Sequence, residues 1–420
     1  MKGFASLGLS APLLRAATDL GFIEPTPIQL GAIPEILAGR DVRGLAKTGS
    51  GKTAAFVLPI LDTLARDEVP SATSHRRPVR VLVLAPTREL AAQIGEAFDD
   101  LGRHLERRLK TCVAVGGVSI NPQMMALRGG ADIVVATPGR LLDLVAQNAL
   151  RLGEVEMLVL DEADRLLSLG FAEELGRILA LLDRRQNLLF SATFPPAVRA
   201  LADALLDDPV LVAIDTTEGL GDAMVVQRVI EVDPPRRTML LRHLIATEGW
   251  SHVLVFVASQ HTADHVVDKL KRARLGAAAI HGGLSQGART EALASFKAKR
   301  TQVLVATDLA ARGLDIAQLP AVINYDLPRS AVDYLHRIGR TARAGEAGTA
   351  VSFVSAETDA HFRLIERRHR LSLERERIAG FEPVMTEPTT PASDPHGGVK
   401  GKRKSKKDKL REAAARAKQS

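Results

Sequence analysis

The sequence predicts an α/β protein of two parallel-sheet lobes in tandem with a disordered basic C-terminal tail, and three observations carry that expectation. Short apolar runs alternate with longer helical stretches from Asp41 onward, as strands buried on both faces of a parallel sheet alternate with their connecting helices. The alternation breaks off near residue 207 and resumes after 222, and a chain of 420 residues is too long for one ordinary domain. The excess positive charge is confined to the end. The chain carries +7, yet residues 400–420 hold ten Lys/Arg against Asp408 and Glu412, leaving 46 basic and 47 acidic side chains in 1–399.

Taken in order, the first lobe is expected over 1–207. It opens with a short helix near 12–20, then Gly21-Phe22-Ile23-Glu24-Pro25-Thr26-Pro27-Ile28-Gln29, whose prolines break helix and whose Thr26 can cap the next one. Strands are expected at 41–45, 80–85, 111–115, 132–136, 157–160 and 187–190. Asp-Asp-Pro and Gly-Leu-Gly mark 208–222 as a linker. The second lobe, 223–382, has strands expected at 252–257, 277–280, 302–306, 321–324 and 349–353, and no phosphate loop of its own. From 383 to 420 the chain is rich in Pro, Thr, Ser and Gly and then, from 400, basic, so order is lost there.

The first lobe carries the clearest chemistry. Ala46-Lys47-Thr48-Gly49-Ser50-Gly51-Lys52-Thr53 fits the phosphate-loop pattern G-x-x-x-x-G-K-[ST], with Ala46 in the first glycine position, between a predicted strand and an apolar, helix-prone run. Gly49 and Gly51 can turn the backbone so that N–H groups face a triphosphate. Lys52 then reaches the β/γ-phosphates and the Thr53 hydroxyl ligates Mg²⁺. The strand at 157–160 ends in Asp161-Glu162-Ala163-Asp164. A carboxylate at that end of a buried strand is placed to hold Mg²⁺, the role of Asp161, while Glu162 can orient or deprotonate the attacking water. These residues predict an NTP hydrolase without saying what the hydrolysis serves.

Composition narrows the remaining classes. The one cysteine, Cys112, permits neither an internal disulfide nor a cysteine-based zinc site. No run of about 18 apolar residues and no apolar leader core is present, so a cytoplasmic protein without membrane contact is expected. Aromatic residues are 4%, with one Trp and two Tyr, so no base-stacking platform is evident.

Eight motifs in one order supply the purpose. They are Gly-Phe-x-x-Pro-Thr-Pro-Ile-Gln at 21–29, the phosphate loop at 46–53, Pro-Thr-Arg-Glu-Leu-Ala at 86–91, Thr-Pro-Gly-Arg at 137–140, Asp-Glu-Ala-Asp at 161–164, Ser-Ala-Thr at 191–193, Ala-Thr-Asp-x-x-Ala-Arg-Gly-Leu-Asp at 306–315, and His-Arg-Ile-Gly-Arg-Thr-Ala-Arg at 336–343. With these the chain resembles the DEAD-box ATP-dependent RNA helicases over residues 1–380. The stretches at 116–125 and 281–290 look most like the bacterial RhlE-type group.

The resemblance implies RecA-like lobes, ATP and Mg²⁺ as ligands, and RNA bound without regard to sequence. It makes Gln29 the reader of adenine, in agreement with an amide's ability to donate and accept at once. Phe22 either stacks on the base or packs in the core, with Phe4 beside it. Arg340 and Arg343 become fingers on the γ-phosphate, worth about 10³–10⁵ in rate where such arginines have been removed, and Asp315 a ribose contact. Asp164, Ser191, Thr193 and His336 become couplers between the ATP site and the nucleic acid, although Ser191 and Thr193 could equally cap a helix, and Arg337 is grouped with His336 as a tie to the first lobe.

Phosphate-backbone contacts are assigned to Pro86, Thr87, Arg88, Gly116, Gly117, Thr137, Pro138, Gly139 and Arg140 in the first lobe, and to Gln286, Arg289, Thr307, Arg312 and Gly313 in the second. Lys47 stands where the family usually has Gln, and Ala342 where it usually has Gly. The tail at 400–420 reads either as an electrostatic tether for RNA or as a solubilising segment. A monomer is expected, with ribosomal or RNA-decay assemblies as possible settings. A nucleotide-gated RNA clamp with little unwinding and a DNA-acting relative fit the same residues; RNA-stimulated turnover and RNA–DNA competition separate them.

Overall fold

The computed structural model describes residues 3–46, 49–66, 77–214, 225–311, 316, 319–341 and 348–384. Its strands are β1 (Val42–Leu45), β2 (Val81–Leu84), β3 (Thr111–Ala114), β4 (Ile133–Ala136), β5 (Met157–Leu160), β6 (Gln186–Ser191) and β7 (Val210–Ala213), followed by β8 (Val225–Glu231), β9 (Val253–Val257), β10 (Ala277–Ile280), β11 (Val303–Thr307), β12 (Ala321–Asn324), β13 (Gly348–Val354) and β14 (Arg375–Glu376). They form two seven-stranded sheets, ordered β3-β4-β2-β5-β6-β1-β7 and β10-β11-β9-β12-β13-β8-β14. Each strand of the second order is its counterpart in the first plus seven, so one topology occurs twice. Every pairing in both sheets is parallel.

Alternation along the central strands makes two cores per sheet. Val81, Val83, Ile133, Val135 and Val159 pack with Phe56 and Phe98 on one face, whereas Leu82, Leu84, Val134, Leu158 and Leu160 pack with Leu141 and Ile178 on the other. Each such side chain contributes about 1.5–3 kcal/mol on burial. In the second lobe Val253, Val255 and Val257 face one core while Leu254 and Phe256 face another. Helices after the strands start at hydroxyl caps: Thr87 Oγ1 accepts from Leu90 N–H at 3.3 Å, Ser285 Oγ from Ala288 N–H at 3.2 Å, and Ser330 Oγ from Asp333 N–H at 3.1 Å. The motifs therefore gather at the C-terminal ends of the strands, where parallel sheets bind ligands.

The expected linker is corrected at its start. Val210–Ala213 is a strand of the first sheet, paired in register with Val42–Leu45, so that lobe runs past 207 to at least Ala213. As an edge strand it has one neighbour, and Leu211 is 62% exposed, so its composition did not give it the signal of a buried strand. β8 was missed for a related reason: Gln227 and Arg228 interrupt its apolar pattern. The rest of the linker, 215–224, and the tail from 385 lie outside the described residues. Among the described residues, no helix is long and apolar enough to cross a membrane.

Candidate active site and nucleic-acid interface

The phosphate loop joins β1 to the helix Lys52–Arg66. Gly49 and Gly51 take φ of 81° and 91°, the left-handed region that favours glycine. The Lys52 amine is buried and donates to the Ala46 carbonyl at 2.9 Å, so it lies folded over the loop it serves. Ala46 N–H in turn donates to the Ser191 carbonyl at 3.1 Å. Thr53 follows in the first helical turn, and Ser50 sits between the two glycines. Lys47 and Thr48 lie outside the described residues.

Gln29 is buried and bridges two segments. Its Oε1 accepts from Thr26 N–H at 2.9 Å and its Nε2 donates to the Gly51 carbonyl at 3.1 Å. One N–H and one lone pair of the amide remain, the complement of an adenine edge. A Cβ at Gly51 would come within 2.5 Å of that Nε2, so only glycine admits the bridge. Phe22 is half-buried and stacks on Phe4, ring centroids 6.2 Å apart, which makes it part of the core edge beside this segment.

At the end of β5, burial pushes the Asp161 carboxyl up to about 6, against the pull of the nearby Lys52 amine. Its Oδ1 accepts the Glu162 N–H at 2.9 Å. Glu162 has φ 51° and ψ 52°, a left-handed conformation that costs a non-glycine residue about 1–3 kcal/mol. No sequence signal marked this strain. Two residues on, the Thr193 hydroxyl donates to Asp164 Oδ2 at 2.7 Å, Asp164 N–H donates to Ser191 Oγ at 3.2 Å, and Ser191 Oγ donates to the Thr193 carbonyl at 2.7 Å. Ser191 and Thr193 therefore lock onto Asp164, whereas the helix that follows is capped at Pro195.

The second lobe closes over this cluster. His336 is held far below the ordinary imidazole range, first by burial and then by the charges of Arg165, Arg340 and Lys52, with Asp164 opposing. Arg340 is buried beside it. Arg165 Nη1 donates to Asp333 Oδ1 at 2.8 Å, a bond between lobes that the motifs did not announce. Arg337 corrects an expectation: its guanidinium donates to Asp308 at 2.6 and 2.8 Å, to Asn324 at 3.0 Å and to the Asp326 carbonyl at 2.6 Å, all within the second lobe. It braces the segment that carries His336 and Arg340. Asp315, Arg312, Gly313, Ala342 and Arg343 lie outside the described residues.

Between the lobes runs a cleft of about 480 Å³, lined by Pro86, Thr87, Arg88, Gly116, Thr137, Gly139 and Arg140 on one side and Gly282 and Arg289 on the other. Arg88 lies so close against Gly117 that a Cβ there would overlap its guanidinium, and Gly117 has φ 70°. Gly116 N–H donates to Thr137 Oγ1 at 3.3 Å, and Arg140 Nη2 donates to the Val118 carbonyl at 2.8 Å. Nη1 of the buried Arg140 has no partner, leaving a donor for an anion. Pro138 opens the next helix, and Thr307 ends β11, half-buried.

Gln286 and Arg289 depart from their expected role. Arg289 Nη2 meets Glu89 Oε1 at 2.7 Å, both side chains buried, and Gln286 Nε2 donates to the same oxygen at 3.4 Å. The carboxylate of the first lobe thus occupies the donors expected to meet phosphate. A second cavity, about 690 Å³, opens at the far end of the first sheet among Arg40, Asp41, Arg185 and Asn187, remote from every motif.

Comparison with known proteins agrees with this geometry. The DEAD/DEAH box helicase model matches residues 26–201 and the helicase conserved C-terminal domain matches 209–345. The chain is 43% identical over 388 residues to the ATP-dependent rRNA helicase RRP3 of Pyricularia oryzae, covering 92% of this chain and 70% of that one. It is 39% identical over 376 residues to the DEAD-box ATP-dependent RNA helicase CshA of Bacillus cereus, covering 89% and 70%. The structure of S. cerevisiae Dbp5 bound to RNA and ADP BeF3 superimposes with a TM-score of 0.77 at 30% identity, covering 91% of this chain and 96% of that one. With two tandem RecA-like lobes, a phosphate loop and a shared cleft, the chain belongs to the DEAD-box RNA helicases and couples ATP hydrolysis to RNA unwinding.

Proposed function

We propose that hydrolysis is switched on by closure of the second lobe over the first, with Lys52, Asp161, Glu162 and Arg340 acting on ATP and with Asp164, Ser191, Thr193 and His336 relaying closure to the RNA cleft. The observation that carries this reading is the convergence on His336 of Asp164, Arg165 and Lys52 from the first lobe and Arg340 from its own. Lys52 binds the phosphates, Glu162 holds the attacking water and takes its proton, and Arg340 meets charge that develops in the transition state. Arg343 and Asp315 keep their proposed roles as second finger and ribose contact.

Mg²⁺ fits the residues present. Asp161 is a buried carboxylate short of compensating positive charge, as its raised pKa records, and Thr53 offers a hydroxyl at the adjoining helix start. When bound, the ion neutralises phosphate charge. Arg88 and Arg140 hold the RNA backbone from the first lobe, with Thr307, Arg312 and Gly313 opposite, and the contacts read no bases.

We further read the chain as a monomeric, RhlE-type protein of the bacterial cytoplasm, on the strength of the stretches at 116–125 and 281–290. Ribosomal RNA is a candidate target because one relative is an rRNA helicase; an RNA-decay assembly is the other. The tail at 400–420 acts as an added electrostatic tether. Steady-state ATP hydrolysis with and without single-stranded RNA, with Glu162→Gln as control, tests the core of this reading. Stimulation by RNA that equal DNA does not give and the variant lacks is expected; equal rates with and without RNA would overturn it.

A further inference from the structure

The end of the second lobe remote from the cleft carries cations that no motif uses. The helix Gln260–Arg272 and the helix Gln286–Lys297 lead into the neighbouring strands β10 and β11, and their connecting turns touch: Gln302 N–H donates to the Gly276 carbonyl at 3.0 Å. The two turns, residues 269–276 and 297–302, contain four and three Lys/Arg and no acid, in a body whose residues 1–399 are close to neutral. Lys271, Arg272, Arg274, Lys299 and Arg300 are all exposed. Among the described residues no carboxylate pairs with the first four, and Arg300 has only the exposed Glu291 at 3.7 Å. Lys299 also lowers the His252 pKa, after burial.

Both turns place a cation where glycine is the easy residue. Arg274 and Lys299 have φ of 61° and 62°. Each follows its helix in a left-handed C-terminal cap, with Leu275 N–H donating to Leu270 and Arg300 N–H to Ser295. A helix end gains something from a positive charge, but that gain is small at an exposed site and is met already by Lys269, Lys271 and Arg272 in the last turn. The helix Gln286–Lys297 links this face to the cleft, since it begins at Gln286 and Arg289 and ends at Lys297, roughly 17 Å away at 1.5 Å per residue. Its exposed side presents Gly287, Ala288, Thr290, Glu291 and Ala294, short side chains apart from Glu291, whose charge faces Arg300.

We propose that this face is a second RNA-binding surface, which holds the phosphate backbone of substrate that has left the cleft and follows the helix Gln286–Lys297 outward. Phosphate is the chemistry it recognises, without base readout. It rests on RNA being the substrate, and the experiment separates the two ideas by RNA length.

Full-length protein carrying Arg272→Gln, Arg274→Gly, Lys299→Gly and Arg300→Gln is compared with wild type for binding to a short RNA that only fills the cleft and to a long single strand, across a salt series. The glycines suit the left-handed turns, so the thermal midpoint should hold or rise. The short RNA should bind and stimulate ATP hydrolysis as before, whereas the long RNA should bind about tenfold more weakly. Its log–log salt slope should fall by about 2, from about 0.7 per phosphate lost. An unchanged slope on long RNA, with stability alone altered, would overturn the proposal and assign the cations to helix capping or to a protein partner. Equal losses on short and long RNA would overturn it as well.

Discussion

Arg165 and Asp333 stand 168 residues apart in sequence and 2.8 Å apart in space, each almost fully buried, and together they fasten one lobe to the other directly beside the catalytic cluster. Removing one partner leaves the other charge enclosed, at a cost of about 3 kcal/mol, whereas removing both costs less. Arg165→Ala and Asp333→Ala should each lower ATP-dependent RNA affinity by roughly 100-fold, and the double variant by less than the product of the two. Additive losses in that double-mutant cycle would mean that the pair does not act in closure.

His336 makes closure sensitive to acid. Its folded pKa is depressed below the ordinary value of 6.5 by burial and by Arg165, Arg340 and Lys52. An imidazole released into solvent on opening takes up a proton below about pH 6.5, and closure must then expel it. The closed form is therefore fully favoured above that pH and loses up to about tenfold per unit below it. RNA affinity in the presence of ATP, measured between pH 5 and 7.5, should show this slope in the wild type and lose it in His336→Gln.

Glu162 has two separable properties. As a base, its replacement in Glu162→Gln should reduce hydrolysis by about 10²–10⁴ while RNA and ATP still bind together. As a left-handed residue with φ 51°, it is strained, so Glu162→Gly should raise the thermal midpoint although it abolishes turnover. A midpoint lowered by Glu162→Gly would show that the side chain, and not the backbone, dominates stability there.

Arg289 and Arg140 should answer differently to salt. Arg289 is taken by Glu89, whereas Arg140 keeps a donor without a partner. Arg140→Gln should cut the salt slope of short-RNA binding by about 0.7. Arg289→Gln should leave that slope alone and weaken ATP-dependent closure.

Much of this was legible in the chain. The central strands β2, β4, β5 and β9 are apolar throughout and buried throughout, so composition alone located them. Lys52, Asp161 and Ser191 follow strands in compact motifs, and the structure brings them together. What stayed hidden depends on partners distant in sequence. β7 is a four-residue edge beside β1, and β8 mixes Gln227 and Arg228 into its run. Arg165 with Asp333, and Glu89 with Arg289, meet only because the lobes close, and nothing local in either segment marks its partner. The turn at Glu162 was equally silent, because a left-handed glutamate looks like any other in sequence.

The bridge that Gln29 makes from Thr26 to Gly51 ties the edge that meets the base to the loop that holds the phosphates. A nucleotide whose base repels that amide does more than bind weakly. By pulling Nε2 from the Gly51 carbonyl it releases the loop on which Lys52 folds, so the wrong base reaches the site with its γ-phosphate poorly held. Base identity becomes a kinetic quantity here, read in turnover at saturating nucleotide as well as in affinity.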